Sequence, residues 1–178
     1  SGTTDAGQKA AASHTGVLAG TDTAYGAAFK RSGVINADTF EALFDYATAF
    51  SMQPLPRGDR VLIITNAGGP GTMAADAVEH SGMKVADLAS NTAAALRGRL
   101  PEEARFGNPV DVLGDAPPER YTEALRAAQK DDNVDAIIII LTPQVMAKPK
   151  ETARAIARAI DGQKPVLASF MGGKKVLP

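Results

Sequence analysis

The stretch Arg60-Val61-Leu62-Ile63-Ile64-Thr65 decides the fold of this chain. Its continuous apolar run predicts a strand buried on both faces, because a strand with one solvated face would alternate apolar and polar residues. Residues 66–71, which are rich in glycine, follow at once, and residues 72–81 have the pattern of a helix. A doubly buried strand that leads straight into a helix indicates a parallel sheet covered by helices.

The same alternation of strand and helix continues along the chain. Further strands are predicted at residues 83–86, 136–141 and 165–169, and further helices at residues 91–100, 118–130 and 150–160. Successive right-handed crossovers then produce a doubly wound parallel sheet, so we predict an α/β fold of flavodoxin type. Ligands of such sheets collect at the carboxyl ends of the strands.

The region before the sheet has no clear strands of its own. It is filled by helical patterns at residues 4–13, 22–31 and 40–50, with a short strand at Val34-Ile35. Because these helices have no sheet to cover, we expect this N-terminal helical arm to need a neighbouring part of a longer protein.

A stretch containing proline and glycine, residues 54–58, separates the two regions. We therefore predict a domain boundary there, between residues 1–53 and residues 58–178. A doubly wound domain would place another helix after the last predicted strand, so we also expect the chain to be a fragment.

The composition argues against several classes of partner and site. The chain has 19 Lys and Arg residues against 20 Asp and Glu, and its basic residues form no run that could follow a phosphate backbone. We therefore expect no nucleic acid and no membrane among its partners. The absence of cysteine excludes disulfides, thiolate nucleophiles and cysteine-ligated metals. Nothing in the sequence points to secretion, so we expect a cytoplasmic protein.

The two histidines differ in their surroundings. His80 comes near the end of a predicted helix, where an imidazole interacts with the last carbonyl groups, so we predict a structural role for it. His14 lies between two predicted helices, among small residues at 10–20 that leave an imidazole accessible. A neutral imidazole can attack phosphorus and carry a phosphoryl group. Without a recognised motif, a hydrogen-bonded surface histidine is the more common alternative.

The glycine-rich segment after the first strand is a candidate anion site. Asn66 precedes Gly68, Gly69 and Gly71 at a strand-to-helix junction, where free N–H groups and the helix dipole favour an anion. The glycine spacing matches neither a dinucleotide fingerprint nor a P-loop. The alternative is a tight turn with no ligand.

Two further connections lead to the same edge of the sheet. Thr142 and Gln144 follow the most apolar strand, and they are either anion contacts or part of a polar turn. Asn108 and Asp111 lie in another connection, where Asp111 is a ligand for a metal or phosphate or simply stabilises a turn. From the residues alone we favour the turn.

Spaced segments over the whole chain resemble one family, the ADP-forming (NDP-forming) acyl-CoA synthetases, which include acetyl-CoA synthetases and belong to the succinyl-CoA synthetase superfamily. These segments are residues 10–16, 18–20, 25–29, 33–35, 65–71, 108–112, 141–144 and 169–173. They occur in the family's order.

The resemblance implies that a carboxylic acid, CoA and ATP are converted to acyl-CoA, ADP and phosphate. His14 matches the histidine that carries the phosphoryl group, in the loop that ends the first succinyl-CoA-ligase-like domain. From about Arg60 the chain resembles the second, flavodoxin-like domain of this kind. The implied phosphate or acyl-phosphate contacts are Asn66, Gly68, Gly69, Gly71, Thr142 and Gln144, with Asn108 and Asp111 as supporting residues.

The resemblance also implies parts that are missing from this sequence. A CoA-binding domain and an ATP-grasp domain should lie in the same protein or in a partner subunit, and the full enzyme should be an oligomer. ATP or ADP, magnesium and CoA should serve that full enzyme. We expect the fragment alone to bind no metal, to hold no cofactor tightly and to be inactive.

Two other interpretations remain open from the sequence. Some protein lysine acetyltransferases resemble this chain in a regulatory, ligand-sensing module, in which the phosphorylatable histidine is often replaced. A stand-alone flavodoxin-like binding module is the third interpretation. The presence of His14 favours the synthetase.

Overall fold

A computed structural model describes residues 4–15 and 22–172 of the chain. It consists of two compact units, Ser1–Ala47 and Thr48–Pro178. No helix in the described ranges combines the length and the apolar character that a membrane span requires.

The first unit is helical in its described residues. It contains α1 (Asp5–Thr15), α2 (Asp22–Ser32) and the beginning of α3 (Phe40–Met52). The strand predicted at Val34-Ile35 is wrong. The N–H group of Val34 instead donates to Phe29 O at 3.0 Å, and Gly33, with φ of 67°, ends α2 in the left-handed conformation that glycine adopts without strain.

α3 has an exposed apolar face. Thr39 precedes the helix, and its Oγ1 accepts the N–H group of Ala42 at 3.0 Å. None of the helix residues is buried. Its exposed large apolar side chains are Phe40, Leu43, Phe44, Tyr46, Phe50 and Met52. An apolar stripe of this length is typical of a helix that packs against another element.

The second unit is a parallel α/β sheet. Its strands are β1 (Arg60–Thr65), β2 (Lys84–Val85), β3 (Val110–Asp111), β4 (Ala136–Leu141) and β5 (Val166–Phe170), and its helices are α4 (Gly68–His80), α5 (Ser90–Arg97), α6 (Pro118–Gln129) and α7 (Pro149–Ala159). The strand order is β2-β1-β4-β5, and β3 also pairs with β1. The chain moves outward in opposite directions from β1 and β4, so the switch point lies between them. The predicted doubly wound α/β fold is confirmed.

Helices cover the two faces of β1, which explains its continuous apolar run. Val61 and Ile63 pack with Val78 of α4 on one face. Leu62 and Ile64 belong to the larger core on the other face, to which α5, α6 and α7 contribute Leu96, Tyr121, Leu125 and Ile156. Each fully buried side chain of this size contributes about 1.5–3 kcal/mol from water exclusion.

An ion pair joins the amino ends of β1 and β4. Arg60 donates to Asp135 Oδ2 through Nε at 2.8 Å and to Oδ1 through Nη2 at 3.0 Å. Asp135 is buried, and a Cβ atom at Gly58 would come within 2.5 Å of its Oδ2. The hydrogen bond from the Arg60 side chain holds the pKa of Asp135 below its ordinary value.

We expect this ion pair to make part of the folding stability depend on pH. Because the folded pKa of Asp135 lies below the unfolded value of about 3.9, its stabilising contribution is present above that pH and is lost as the pH falls through the folded pKa. Asp135→Asn should lower the urea midpoint at neutral pH and should flatten the further loss in acid. Asp132→Asn, which removes an exposed carboxylate from the same loop, is the control. Equal acid sensitivity with and without the Asp135 carboxylate would contradict this account.

Candidate functional site at the carboxyl edge of the sheet

Three connections meet beyond the carboxyl ends of β1 and β4. The connection from β1 to α4 contacts the one from β4 to α7 through Asn66 and Thr142. The connection after β3 reaches both, because a Cβ atom at Gly114 would lie 3.7 Å from Gln144 Cγ and 3.9 Å from Asn66 O. The structure therefore brings Asn66, Thr142 and Gln144 together, as expected for the switch point of a doubly wound sheet.

The side chain of Asn66 bridges the switch point. It is only 4% exposed. Its Nδ2 donates to Thr142 O at 2.8 Å, and its Oδ1 accepts the N–H group of Thr142 at 2.8 Å. Both ends of the amide are thus bonded to the backbone of one residue in the neighbouring connection.

Gly68 and Gly69 form the first turn of α4, four residues before the predicted start of that helix. Ala67 is extended, with φ of −148° and ψ of 124°, and its N–H group donates to Thr65 Oγ1 at 3.1 Å. Among the described residues, no hydrogen-bond acceptor pairs with the N–H groups of Gly68 and Gly69, and both glycines are exposed. Two free N–H groups at a helix start favour an anion.

Gly71 has a different role from the other two glycines. It is buried, and its N–H group donates to Ala67 O at 3.2 Å, so it is not free to bind an anion. A Cβ atom at this position would lie 2.8 Å from Thr65 Cγ2 and 3.5 Å from Pro109 Cβ. Gly71 therefore lets α4 approach β1 closely, which is a packing role that the sequence prediction did not separate from phosphate binding.

A second free helix start lies after β4. α7 begins at Pro149, and no side chain caps it. Within residues 4–15 and 22–172, the N–H groups of Lys150 and Glu151 have no hydrogen-bond partner. Gln144, in the preceding connection, is exposed. Thr142 Oγ1 lies 3.9 Å from Met171 Sδ, a weak contact that leaves the hydroxyl able to make a stronger bond.

The side chain of Asn108 fills a gap in the pairing along one edge of β1. β2 pairs with the beginning of β1 and β3 with its end, which leaves a gap between them. Asn108 Nδ2 donates to Val61 O at 2.8 Å and to Ala86 O at 3.0 Å, while its Oδ1 accepts the N–H group of Ile63 at 3.0 Å. The side-chain amide of Asn108 is therefore hydrogen-bonded to backbone groups of the sheet region.

Asp111 stabilises a turn, which is the role predicted from the residues alone. Its Oδ1 accepts the N–H group of Leu113 at 2.9 Å, and Leu113 has φ of 73°. A positive φ is uncommon for a residue other than glycine. The Leu113-Gly114 segment could not be predicted from sequence, because β3 has only two residues and gives no recognisable strand pattern.

The two histidines lie in different units. His80 is at the end of α4, with its Nδ1 2.7 Å from Asp76 O, which fits the predicted structural role. The backbone of His14 belongs to the last turn of α1, which extends two residues beyond its predicted end. The side chain of His14 lies outside the described part of the chain.

The described residues contain no candidate metal cluster, and the groove beside α5 and α6 lies apart from the predicted site residues. In the described ranges, no three His, Asp or Glu side chains are placed to hold a metal ion together. A groove of about 190 Å³ lies beside α5 and α6, and its cations are Arg99, Arg126 and Lys130. Glu123 pairs with both of these arginines. None of the predicted site residues lines this groove.

Comparison with known families identifies the second unit. Residues 61–177 match the Ligase-CoA domain. The chain belongs to the Ligase-CoA domain family. Residues 1–50 match the succinyl-CoA ligase like flavodoxin domain, which precedes this Ligase-CoA domain in the sequence. The predicted relationship to the acyl-CoA synthetases is confirmed.

Curated relatives and a solved structure agree with this assignment. The ADP-forming acetate–CoA ligase II subunit alpha of Pyrococcus furiosus is 45% identical over 97% of this chain and 38% of its own length. The ADP-forming 4-hydroxybutyrate–CoA ligase of Nitrosopumilus maritimus is 40% identical, over 97% and 25%. The acetyl-coenzyme A synthetase 1 of Ca. Korarchaeum cryptofilum, solved with phosphate and ADP, has a TM-score of 0.83 at 35% identity, over 98% and 38%. The chain thus spans well under half of each of these relatives.

Gly71 and Gly69 provide a matched pair for testing the packing role. We expect Gly71→Ala to destabilise the chain by about 1–2 kcal/mol, because overpacking against the buried Thr65 methyl outweighs the better helix propensity of alanine. Gly69→Ala should be neutral or slightly stabilising, since nothing lies within 4 Å of a Cβ atom there. Urea unfolding of both variants measures the difference, and equal midpoints would refute the packing role of Gly71.

Proposed function

We propose that this chain is part of an NDP-forming acyl-CoA synthetase, which converts an acid, CoA and ATP to acyl-CoA, ADP and phosphate. The observation that carries the proposal is the alignment of almost the whole chain with ADP-forming acyl-CoA ligases. The proposal assigns residues 1–53 to the end of the first succinyl-CoA-ligase-like domain and residues 58–178 to the second. Its phosphoryl carrier is His14.

The proposed reaction proceeds through three transfers. His14 attacks the terminal phosphorus of ATP, the P–O bond to ADP breaks, and a phosphohistidine forms. A carboxylate oxygen of the acid then attacks the same phosphorus, and the electron pair of the P–N bond returns to the imidazole. Finally the thiolate of CoA attacks the acyl carbonyl carbon, and the C–O bond breaks as phosphate leaves.

Besides the carrier His14, the chain contributes groups in its second unit that stabilise charge on the transferred phosphoryl group. Within the described part of the chain, the N–H groups of Gly68 and Gly69 are free donors at a helix start, and those of Lys150 and Glu151 are free at another. Such fixed donors stabilise developing negative charge without reorganising during the reaction. In this proposal Thr142 and Gln144 add polar side chains at the same edge of the sheet.

Other parts of the full enzyme complete the proposal. The exposed apolar side chains of α3 favour a neighbouring element that covers them. We assign this element to the sheet of the first succinyl-CoA-ligase-like domain. A CoA-binding domain and an ATP-grasp domain, in the same protein or a partner subunit, would bind CoA, the nucleotide and magnesium. We therefore propose that this fragment alone is inactive, that the full enzyme is an oligomer, and that it acts in the cytoplasm.

The two histidines allow a sharp test of the proposed carrier. We expect the full-length parent protein, incubated with γ-labelled ATP and Mg²⁺ together with any partner subunit that carries the ATP-grasp domain, to acquire protein phosphate that is labile in acid and stable in base. His14→Asn should abolish the label, because no ring nitrogen remains to attack phosphorus. His80→Asn should retain it, since that imidazole is bonded at a helix end.

Retention of the label by folded His14→Asn would reject His14 as the carrier. An unlabelled but folded parent would reject the synthetase mechanism and would favour the regulatory, ligand-sensing interpretation.

A further inference from the structure

We infer that Asn66 is a positioning residue that fixes two anion-binding connections relative to each other, rather than a ligand of the phosphoryl group. The inference rests on the proposed function for its anion, and it changes the role that sequence resemblance implies for this side chain. The inference follows from the hydrogen bonds that the buried Asn66 amide makes with the backbone of Thr142.

The Asn66 side chain continues the pairing of β1 and β4 beyond the end of the sheet. The last paired residues of these strands are Thr65 and Ile140. One step further, the Asn66 amide both donates to and accepts from the backbone of Thr142 at 2.8 Å. This side chain takes the place of the next backbone pair at the switch point, where the strands diverge to their separate helices.

The connection on the α4 side is short enough to transmit this constraint. Only Ala67 separates Asn66 from Gly68, the first residue of α4, so holding Asn66 holds the free N–H groups at that helix start. On the other side, Thr142 begins the connection that leads through Gln144 to α7. The amide is buried, and its nitrogen and its oxygen are each bonded to the backbone of Thr142, which favours positioning over direct contact with a solvated anion.

The bonding pattern requires one donor and one acceptor, which makes Asn66→Asp a proton-dependent variant. A protonated aspartic acid can donate to Thr142 O and accept from its N–H group. An ionised carboxylate would place a second acceptor against Thr142 O in a buried site, which is unfavourable. Asp111 is the ionisable residue on the adjoining strand, paired with Thr65, and its negative charge would add to that cost.

The chain contains a matched control at Gln129. This amide is also buried, its Nε2 donates to Ala159 O at 3.0 Å, and its Oε1 accepts the N–H group of Asp161 at 2.9 Å. It joins the end of α6 to the end of α7 and contacts none of the predicted site residues. Gln129→Glu therefore makes the same chemical change away from the anion-binding connections.

The experiment compares the affinity for inorganic phosphate in the full-length parent, Asn66→Asp, Asn66→Ala and Gln129→Glu. Titration calorimetry at about pH 5.5 and about pH 8 brackets the raised pKa expected for a buried acid. Relative to the parent at the same pH, Asn66→Asp should bind about as tightly at the lower pH and about tenfold more weakly at the higher. Asn66→Ala should be weak at both pH values, and Gln129→Glu should match the parent at both.

Thermal unfolding of the same proteins separates positioning from stability alone. The folded pKa of a new carboxyl at 66 or 129 is raised, so its stabilising contribution is present at low pH and lost as the pH rises through that value. Both acidic variants should therefore lose stability at the higher pH, but only Asn66→Asp should lose phosphate affinity. Equal affinities of folded Asn66→Asp and Gln129→Glu would overturn the inference.

Hydrogen exchange distinguishes positioning from direct contact with the anion. Without phosphate, the amide of Thr142 should be protected in the parent and should exchange at least about tenfold faster in Asn66→Ala, because its acceptor is gone. Unchanged exchange together with weaker phosphate binding would show that Asn66 is a ligand, which would also overturn the inference. The proposed function fails separately, through an unlabelled parent, and none of the three measurements here requires a phosphohistidine.

Discussion

The burial of β1 on both faces and its pairing along both edges is the constraint on which the rest of the second unit depends. One face packs on α4, and the opposite face belongs to the core built with α5, α6 and α7. Along its edges, β4 occupies one side, while β2 and β3 share the other. A strand in this position has no solvated face, so every polar group at its carboxyl end must find a partner inside the protein.

That requirement explains the composition of the carboxyl edge. Thr65 bonds to its own connection, Asn66 bonds across to Thr142, and Asn108 fills the gap beside β1. Once these side chains are satisfied, the donors at this edge that have no protein partner in the described chain include the N–H groups at the starts of two helices. The edge therefore combines a rigid, fully bonded support with free donors, an arrangement suited to holding an anion in a fixed place.

Much of this arrangement could be predicted from local pattern. The apolar runs of β1 and β4 are long enough to be recognised, and alternation with helices implies a parallel sheet. β3 could not be recognised, because a strand of two residues has no period. The start of α4 was placed too late because glycines are typical of loops, whereas here Gly71 is needed where the helix crosses close to Thr65. The predicted strand at Val34-Ile35 failed because two apolar residues do not outweigh the end of a helix beside them.

The sequence by itself determined the class of fold, the edge at which the candidate site residues meet, and the family, because these depend on periodicity and on motifs read along the chain. Only the tertiary structure decided what each polar residue does. Asn66 and Asn108 look alike in sequence, yet one joins two connections and the other completes a sheet. Gly69 and Gly71 are two residues apart, yet one has open space around it and the other touches β1. The physical reason is that these hydrogen bonds and close contacts join residues up to 76 positions apart, a separation that no local pattern encodes.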